Sequence, residues 1–391
     1  MQYALASAGP WRLLMTRPDT NAYGNAILNM AWSFLLARAL HARLYVDPLR
    51  PGSLEALTGL ECDGVRRVRR SVVRSAMMRS VWRLAAAVGG PRRVVGTLNE
   101  FGHGGRGSDQ DRAYFGLDFR RLLAASGVPV RLPEPLAGDV TRAAAALGLT
   151  EDARLVTLHV REAGHAALRG VDDREKDTAR NARVETYFDA IDWLVAKGYR
   201  VVRVGDPSMT PVRRAGVIDL ATLPQRSLAL ELWCVLRSAF LMASDSGPFN
   251  LSVLTGVPCL GLNITHLIGA YPLRRHDRSL LKPVVDRSTG RPVPLAEMLT
   301  PGHLKHRWAP GRFRFDDNTA EEIVEAVAEM ALLVEGPDTE PAPAQVSAQA
   351  MMRAFLDGDY GRRKQKGGSF YLGDGYFSAG CAARALAAGQ P

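Results

Sequence analysis

From residue 155 to residue 263, short uninterrupted apolar runs alternate with stretches of helical periodicity, and no other feature of the chain limits its fold as strongly. The apolar runs cover 155–160, 200–204, 217–220, 240–243 and 259–263, and the helical stretches cover 184–197, 227–238 and 248–255. A strand that is apolar on both faces needs cover on both faces, and strands separated by helices pair in parallel. The pattern predicts a doubly wound parallel sheet. Gly198 ends the first of these helices. A terminal helix over 319–333 starts from Asn318 or Thr319, with Glu321 and Glu322 in an acidic first turn.

A weaker version of the same pattern opens the chain. A run at 11–16 leads through a polar loop at 17–25 into a helix with Ile27, Met30, Ala31, Phe34 and Leu35 on one face. A second run at 44–46 closes on Asp47-Pro48, which makes a βαβ unit and predicts a second parallel sheet. Residues 52–125 read as mainly helical and basic, broken by a glycine-rich loop at 102–107, and the proline-rich 128–138 reads as a linker. The expected organisation is α/β with two Rossmann-like domains: 1–140 with a basic helical insertion, and 150–335. Residues 336–391 form an extension, helical near 348–356, expected to pack back on the N-terminal domain.

A length of 391 residues suits two cores rather than one. The net charge of +10 is concentrated at Arg66, Arg67, Arg69, Arg70, Arg74, Arg79, Arg83, Arg92 and Arg93. Two readings of that cluster stand side by side: a solvated helix face, or a surface for an anionic partner such as an acidic membrane. A polynucleotide partner is not expected, because only Trp82 interleaves the arginines and no nucleic-acid motif accompanies them. Cys62, Cys234, Cys259 and Cys381 are scattered without a CxxC pair and read as buried thiols in a reducing compartment. No basic leader opens the chain and no apolar stretch reaches the ~20 residues of a membrane span, so a cytoplasmic protein is expected.

In open α/β sheets, ligands sit beyond the carboxyl ends of the strands. Several polar groups fall there. His159 and Arg161, on one side of their strand, are followed by Glu162; Arg203 and Asp206 end the next strand; Ser244, Asp245, Ser246 and Gly247 end another; Asn263 ends the one after it. Pro248 suits the first turn of a helix, whose free N–H groups attract an anion, and Gly247 allows close backbone approach. An arginine fork facing such a turn is what a diphosphate requires when no metal is supplied. Arg180, in the charged loop after His159, is a cation able to close over the phosphates. Asp357 and Asp359 form an Asp-x-Asp pair, but they follow the last sheet element, so no metal site is assigned.

The stretch 244–250, flanked by Ile218-Asp219-Leu220 and Gly256-Val257-Pro258, resembles the donor domain of bacterial heptosyltransferases. Gly24-Asn25 with its helix, and the Leu44-Tyr45-Val46-Asp47 strand after it, resemble the N-terminal domain of the fucosyltransferase superfamily, as His159-Val160-Arg161 resembles its His-x-Arg signature. The pattern as a whole is similar to a family of bacterial glycosyltransferases, strongly over 155–265 and weakly at the N-terminus. The resemblance implies a GT-B architecture with an interdomain cleft, the acceptor on the N-terminal side and a hexosyl or deoxyhexosyl donor on the C-terminal side. It implies that Gly24 and Asn25 line the donor site, that Arg161 grips the phosphates, that His159 meets the nucleoside, and that Ser246 and Gly247 complete the cradle. Glu162 stands where fucosyltransferases carry a second arginine, which leaves a GDP-, UDP- or ADP-linked donor open. The expected activity is metal-independent transfer to a glycan, lipid-linked or natural-product hydroxyl. The nucleotide sugar is the co-substrate, there is no further cofactor, and Asp19 or Glu162 is the base. A nucleotide-sugar epimerase or hydrolase, and a non-catalytic binder of nucleotides or anionic polymers, remain as alternatives.

Overall fold

A computed structural model describes residues 2–8, 11–18, 23–47, 54–68, 76–77, 80, 95–97, 129–164, 178–268, 271–309, 311–337, 339–361 and 373–388. Strands β1 (Gln2–Ala8), β2 (Trp11–Arg17), β3 (Arg43–Val46) and β5 (Val95–Thr97) form a sheet in the order β3-β2-β1-β5. Helix α1 (Tyr23–Ala39) connects β2 to the parallel β3, with Leu14 beside Leu44, so the βαβ unit forms as expected. The sheet is nevertheless mixed rather than parallel. β1 runs antiparallel to both β2 and β5. Only two residues separate β1 from β2, enough for a hairpin and far too few for a parallel crossover.

The segment after β3 holds α2 (Glu55–Gly59) and β4 (Glu61–Cys62), which pairs with β6 (Val130–Arg131). Within the expected basic helical insertion, Arg67 is half-buried and donates to the carbonyls of Leu60 at 2.5 Å and Thr58 at 2.9 Å. Burial pushes its guanidinium down to about 10. Arg67 is therefore a structural residue; Arg69, Arg70, Arg74, Arg79, Arg83, Arg92 and Arg93 lie outside the described residues. Residues expected to act as a linker instead enter α3 (Leu136–Ala146), which buries Val140 and Ala144 and receives a hydrogen bond from Trp233 Nε1 on Thr141.

The second sheet is parallel throughout, as the continuous apolar runs predict. Its strands are β7 (Leu155–His159), β8 (Arg200–Arg203), β9 (Val217–Asp219), β10 (Ser238–Ala243), β11 (Cys259–Ile264), β12 (Arg278–Leu281) and β15 (Tyr376–Phe377). Their order is β15-β12-β11-β10-β7-β8-β9. Alternate side chains go to opposite faces. Val156, Val201, Phe240 and Leu260 meet α4 (Phe188–Ala196) and α9 (Ala320–Glu335) on one face. Leu155, Val202, Leu241 and Cys259 meet α5 (Leu228–Leu236) and α6 (Leu251–Thr255) on the other.

Helix α1 lies on the α5–α6 layer, within the same apolar core. It is buried from Ala26 through Leu36, not on one face alone, because it is covered both by its own sheet and by that layer. Ser33, buried in this stretch, donates to the Asn29 carbonyl at 2.7 Å and bonds Thr16 Oγ1 at 3.0 Å.

Between β12 and α9 the chain forms β13 (Val284–Asp286), α7 (Leu295–Met298), α8 (Pro301–His306) and β14 (Phe313–Phe315). Thr319 caps α9 with Glu322 in a capping box. The described residues after α9 pack on the seven-stranded sheet. α10 (Pro343–Asp357) and α11 (Ala379–Ala387) bury Ala348, Met352, Cys381 and Ala382 in the core of the seven-stranded sheet, and β15 extends that sheet beside β12. An edge strand offers unpaired backbone groups, and the extension satisfies them there. All four cysteines are buried with free thiols. No helix among the described residues is long and apolar enough to cross a membrane.

Candidate functional site

The chain leaves β7 for β8 and β9 on one side and returns through β10 to β11, β12 and β15 on the other. β7 and β10 are therefore the pair at which strand order reverses, and the connections that follow them go to opposite faces. A crevice opens at such a point beyond the strand ends. The loops lining it are tied together: Ser244 N–H donates to the His159 carbonyl at 3.0 Å, and Arg161 N–H donates to Ser244 Oγ at 2.6 Å. Ser244 is fully buried and acts as a brace. Arg161 reaches outward, half-buried, with its Nε donating to Asn181 Oδ1 at 3.1 Å. Asn181 is itself held by Lys282, whose Nζ donates to the Asn181 carbonyl at 2.6 Å and to Asp317 Oδ1 at 2.7 Å.

Asp245 is the hub of the crevice. Its Oδ2 accepts from Thr265 N–H at 3.2 Å, Thr265 Oγ1 at 2.6 Å and His266 Nδ1 at 2.6 Å. Arg180 Nε donates to its carbonyl at 2.8 Å and lies 3.6 Å from Oδ1. Burial alone would raise the Asp245 carboxyl, but its partners, His266 foremost, then Arg180 and Thr265, hold it well below the usual range. Arg307 adds a further cation facing Asp245; burial lowers its guanidinium, opposed by Tyr360 and Asp245. The His266 ring lies 5.4 Å from Trp308, which stacks on Phe315 at 5.3 Å. The next residue, Ser246, is extended and opens the 3-10 turn Gly247–Asn250. Its hydroxyl is buried without a hydrogen-bond partner among the described residues.

Four expected ligand contacts are instead part of the scaffold. Arg203 is completely buried, donating to both oxygens of Asp219 at 3.1 Å, to the Thr210 carbonyl at 2.8 Å and to Glu162 Oε1. Glu162 also accepts from Thr210 N–H at 2.8 Å, so both of its oxygens are engaged by the scaffold. Asn263 is fully buried with φ 54°, exchanging hydrogen bonds with Asn318 and donating to Tyr187 at 2.9 Å. Asp206 folds back on Ser208. His159 is buried too, its Nδ1 3.1 Å from the Val204 carbonyl, which can only accept, so Nδ1 carries the proton. Burial, foremost, holds the imidazole down to about 4, and it stays neutral.

Gly24 and Asn25 lie in the first turn of α1 rather than in a polar loop, and Gly24 touches the crevice directly. A Cβ on Gly24 would fall 2.8 Å from Gly247 Cα, and a Cβ on Gly247 would fall 2.9 Å from Gly24 N. Asn250 Nδ2 reaches the Gly24 carbonyl at 3.5 Å. Beside this joint, Arg226 bonds the Gly205 carbonyl at 3.2 Å and Glu231 Oε1 at 3.3 Å. Burial pushes Glu231 up to about 7, against Arg226 and the Gly205 amide. The Tyr23 hydroxyl is buried near Glu231 and Arg226 with no hydrogen-bond partner among the described residues. Asp19 lies outside the described residues.

His266, Arg307, Trp308, Lys282 and Glu231 belong to this site yet were not anticipated. The rule that identified Arg161 would have found His266 and Lys282, since each follows a strand of the same sheet. No family model and no curated protein matches the chain. Among solved structures, it is similar to a glycosyl transferase family 9 protein from Veillonella parvula DSM 2008, with 14% identity over 82% of this chain and 96% of that one and a TM-score of 0.49. It is also similar to the E. coli ADP-heptose lps heptosyltransferase II, with 13% identity over 82% of this chain and 99% of that one and a TM-score of 0.43. With both TM-scores below 0.5, neither likeness bears on the chemistry, and the α/β fold stands on the strand pairings of this chain.

Proposed function

We propose that the protein is a glycosyltransferase that holds the diphosphate of a nucleotide-sugar donor at the β7–β10 crevice and transfers the sugar to a hydroxyl acceptor. One observation carries the reading: two half-buried arginines, Arg161 and Arg180, converge with the unsatisfied Ser246 hydroxyl where strand order reverses. As the glycosidic bond breaks, negative charge grows on the leaving diphosphate, and preorganised cations stabilise it most at that moment. Because the cations are arginines, the transfer is proposed to need no metal and to survive excess EDTA. With Glu162 occupied by Arg203, the base is proposed to be Asp19, and Asp19→Asn is expected to lower kcat about a hundredfold or more.

A calorimetric panel of GDP, UDP, ADP, CDP and dTDP tests the reading and names the donor class. Arg161→Ala is expected to weaken the best ligand at least about tenfold, and lysine to restore it only in part, because a point charge lacks the guanidinium fork. Unchanged affinity in folded Arg161→Ala would refute the donor site.

A further inference from the structure

Asp245 carries one negative charge, yet Arg180 and Arg307 both face it and His266 bonds it at 2.6 Å. A carboxylate can only accept, so His266 Nδ1 must donate. That fixes the tautomer and leaves Nε2 as the nitrogen available to a ligand. The imidazole is pinned on two sides, by Asp245 and by the Trp308 ring, while its side chain keeps 33% of its exposure. It stands at the end of β11, one strand from Asp245 and two from Arg161, on the edge from which the arginines rise.

We infer that the Asp245–His266 pair is the proton-coupled part of the diphosphate site: His266 takes up a proton as the diphosphate binds and donates it from Nε2, in a charged hydrogen bond, to a phosphate oxygen. The inference rests on the proposed diphosphate reading of the crevice. Its logic is charge balance. Two guanidiniums around one carboxylate already leave the pocket cationic, with positive charge to spare for an anion. A diphosphate brings two or more negative charges, and an adjacent anion favours the protonated imidazole. The charged groups facing the pair are Arg180 from the loop after β7 and Arg307 after α8. Tyr360, after α10, interacts electrostatically with Arg307. Asp245 holds the ring in orientation and stabilises the imidazolium, as an orienting carboxylate does for a histidine.

The test is titration calorimetry of the full chain with inorganic pyrophosphate, GDP, UDP and ADP, in buffers of different ionisation enthalpy from pH 6.5 to pH 8.5. Wild type is expected to take up protons on binding and to bind about tenfold more tightly at pH 6.5 than at pH 8.5. In His266→Gln, the uptake should vanish and the pH dependence shrink to about twofold or less. The phosphate's own ionisation cancels in that difference. His266→Asn serves equally if the glutamine variant does not fold. Wild-type binding without proton uptake, or uptake that persists in the variant, overturns the inference while leaving the diphosphate site intact. Failure of wild type to bind any of the four probes overturns the site reading and this inference with it.

Discussion

Two clusters of arginine and carboxylate sit at the ends of adjacent strands, and they serve opposite purposes. At β8 and β9, Arg203, Glu162 and Asp219 form a sealed triad, with the arginine at zero exposure and its bonds ending on protein oxygens. At β7 and β10, Arg161, Arg180 and Asp245 form an open cluster whose arginines stay half-buried. Residue types and strand-end positions are alike. What differs is the cover: the residues after β8 fold back over Arg203, with Thr210 and Val212 capping Glu162 and Asp219. Among the described residues, the β7 and β10 connections diverge to opposite faces instead and leave Arg161 and Arg180 half-buried. Among the described residues, one charged strand end is thus sealed by its own chain and the other stays open.

Breaking the sealed triad should have the largest effect. Arg203→Met strands the buried Asp219 and the partly buried Glu162, and removing one partner of a buried ion pair costs about 3–5 kcal/mol. Urea denaturation is expected to register that loss, while Arg161→Ala should change stability by about 1 kcal/mol or less. Neutralising the partners as well, in Arg203→Met/Glu162→Gln/Asp219→Asn, should return part of the lost stability. Equal losses from Arg203→Met and Arg161→Ala would erase the distinction between the clusters.

Glu231 offers a pH test of the same closed side, because its carboxyl and Arg226 clamp the Gly205 peptide just after β8. Its folded value of about 7 lies above the unfolded 4.5, so its contribution is fully present below pH 4.5 and is lost as pH rises to 7. The loss amounts to about 3 kcal/mol. His159 works in the opposite sense: depressed from 6.5 to about 4, it contributes above pH 6.5 and loses that contribution as pH falls to 4. Glu231→Gln should flatten the decline in stability between pH 4.5 and pH 7, read from urea midpoints. A decline of unchanged depth in the variant would show that Glu231 is not buried in its neutral form.

Gly24→Ala probes how the N-terminal helix meets the open cluster. The added Cβ would fall 2.8 Å from Gly247 Cα, a backbone atom that cannot yield by a rotamer change. Overpacking of this kind costs about 1–3 kcal/mol. Diphosphate affinity should fall as well, since Ser246 and Gly247 would shift together. Loss of stability with intact affinity would detach this joint from the site.

The β–α alternation of residues 155–263 was legible because each strand there is apolar on both faces, and burial on both faces is written in composition. β1 was not: its partner choice depends on a two-residue connection rather than on a periodic pattern. The strands and short helices between Lys282 and Asn318 were missed because none is long enough to show a period. Arg161 and Arg203 could not be told apart, since each is an arginine at a strand end and only the fold covers one of them. Asn263 looked like a strand-end ligand, but its left-handed backbone and its bonds to Asn318, 55 residues away, make it a fastener between β11 and the start of α9.

The smallest expected effect separates positioning from packing within the open cluster. Asn181 accepts from Arg161 Nε at 3.1 Å, while Lys282 holds the Asn181 backbone independently of its side chain. Asn181→Ala should therefore leave the loop in place and remove only the orienting acceptor. Pyrophosphate binding is expected to weaken about threefold to tenfold, the value of one hydrogen bond, with a change in Tm of about 2 °C or less. Asn181→Asp sharpens the result. Its carboxylate still accepts from Arg161 and keeps the guanidinium in place, but it adds a negative charge beside the incoming anion. If Asn181 acts by orienting a phosphate-binding arginine, the aspartate variant should bind pyrophosphate more weakly than the alanine variant, although its Arg161 is better held. If Asn181 merely packs the loop, aspartate should preserve affinity better than alanine. The order of the two variants in one calorimetric series decides whether Arg161 faces an anion at all.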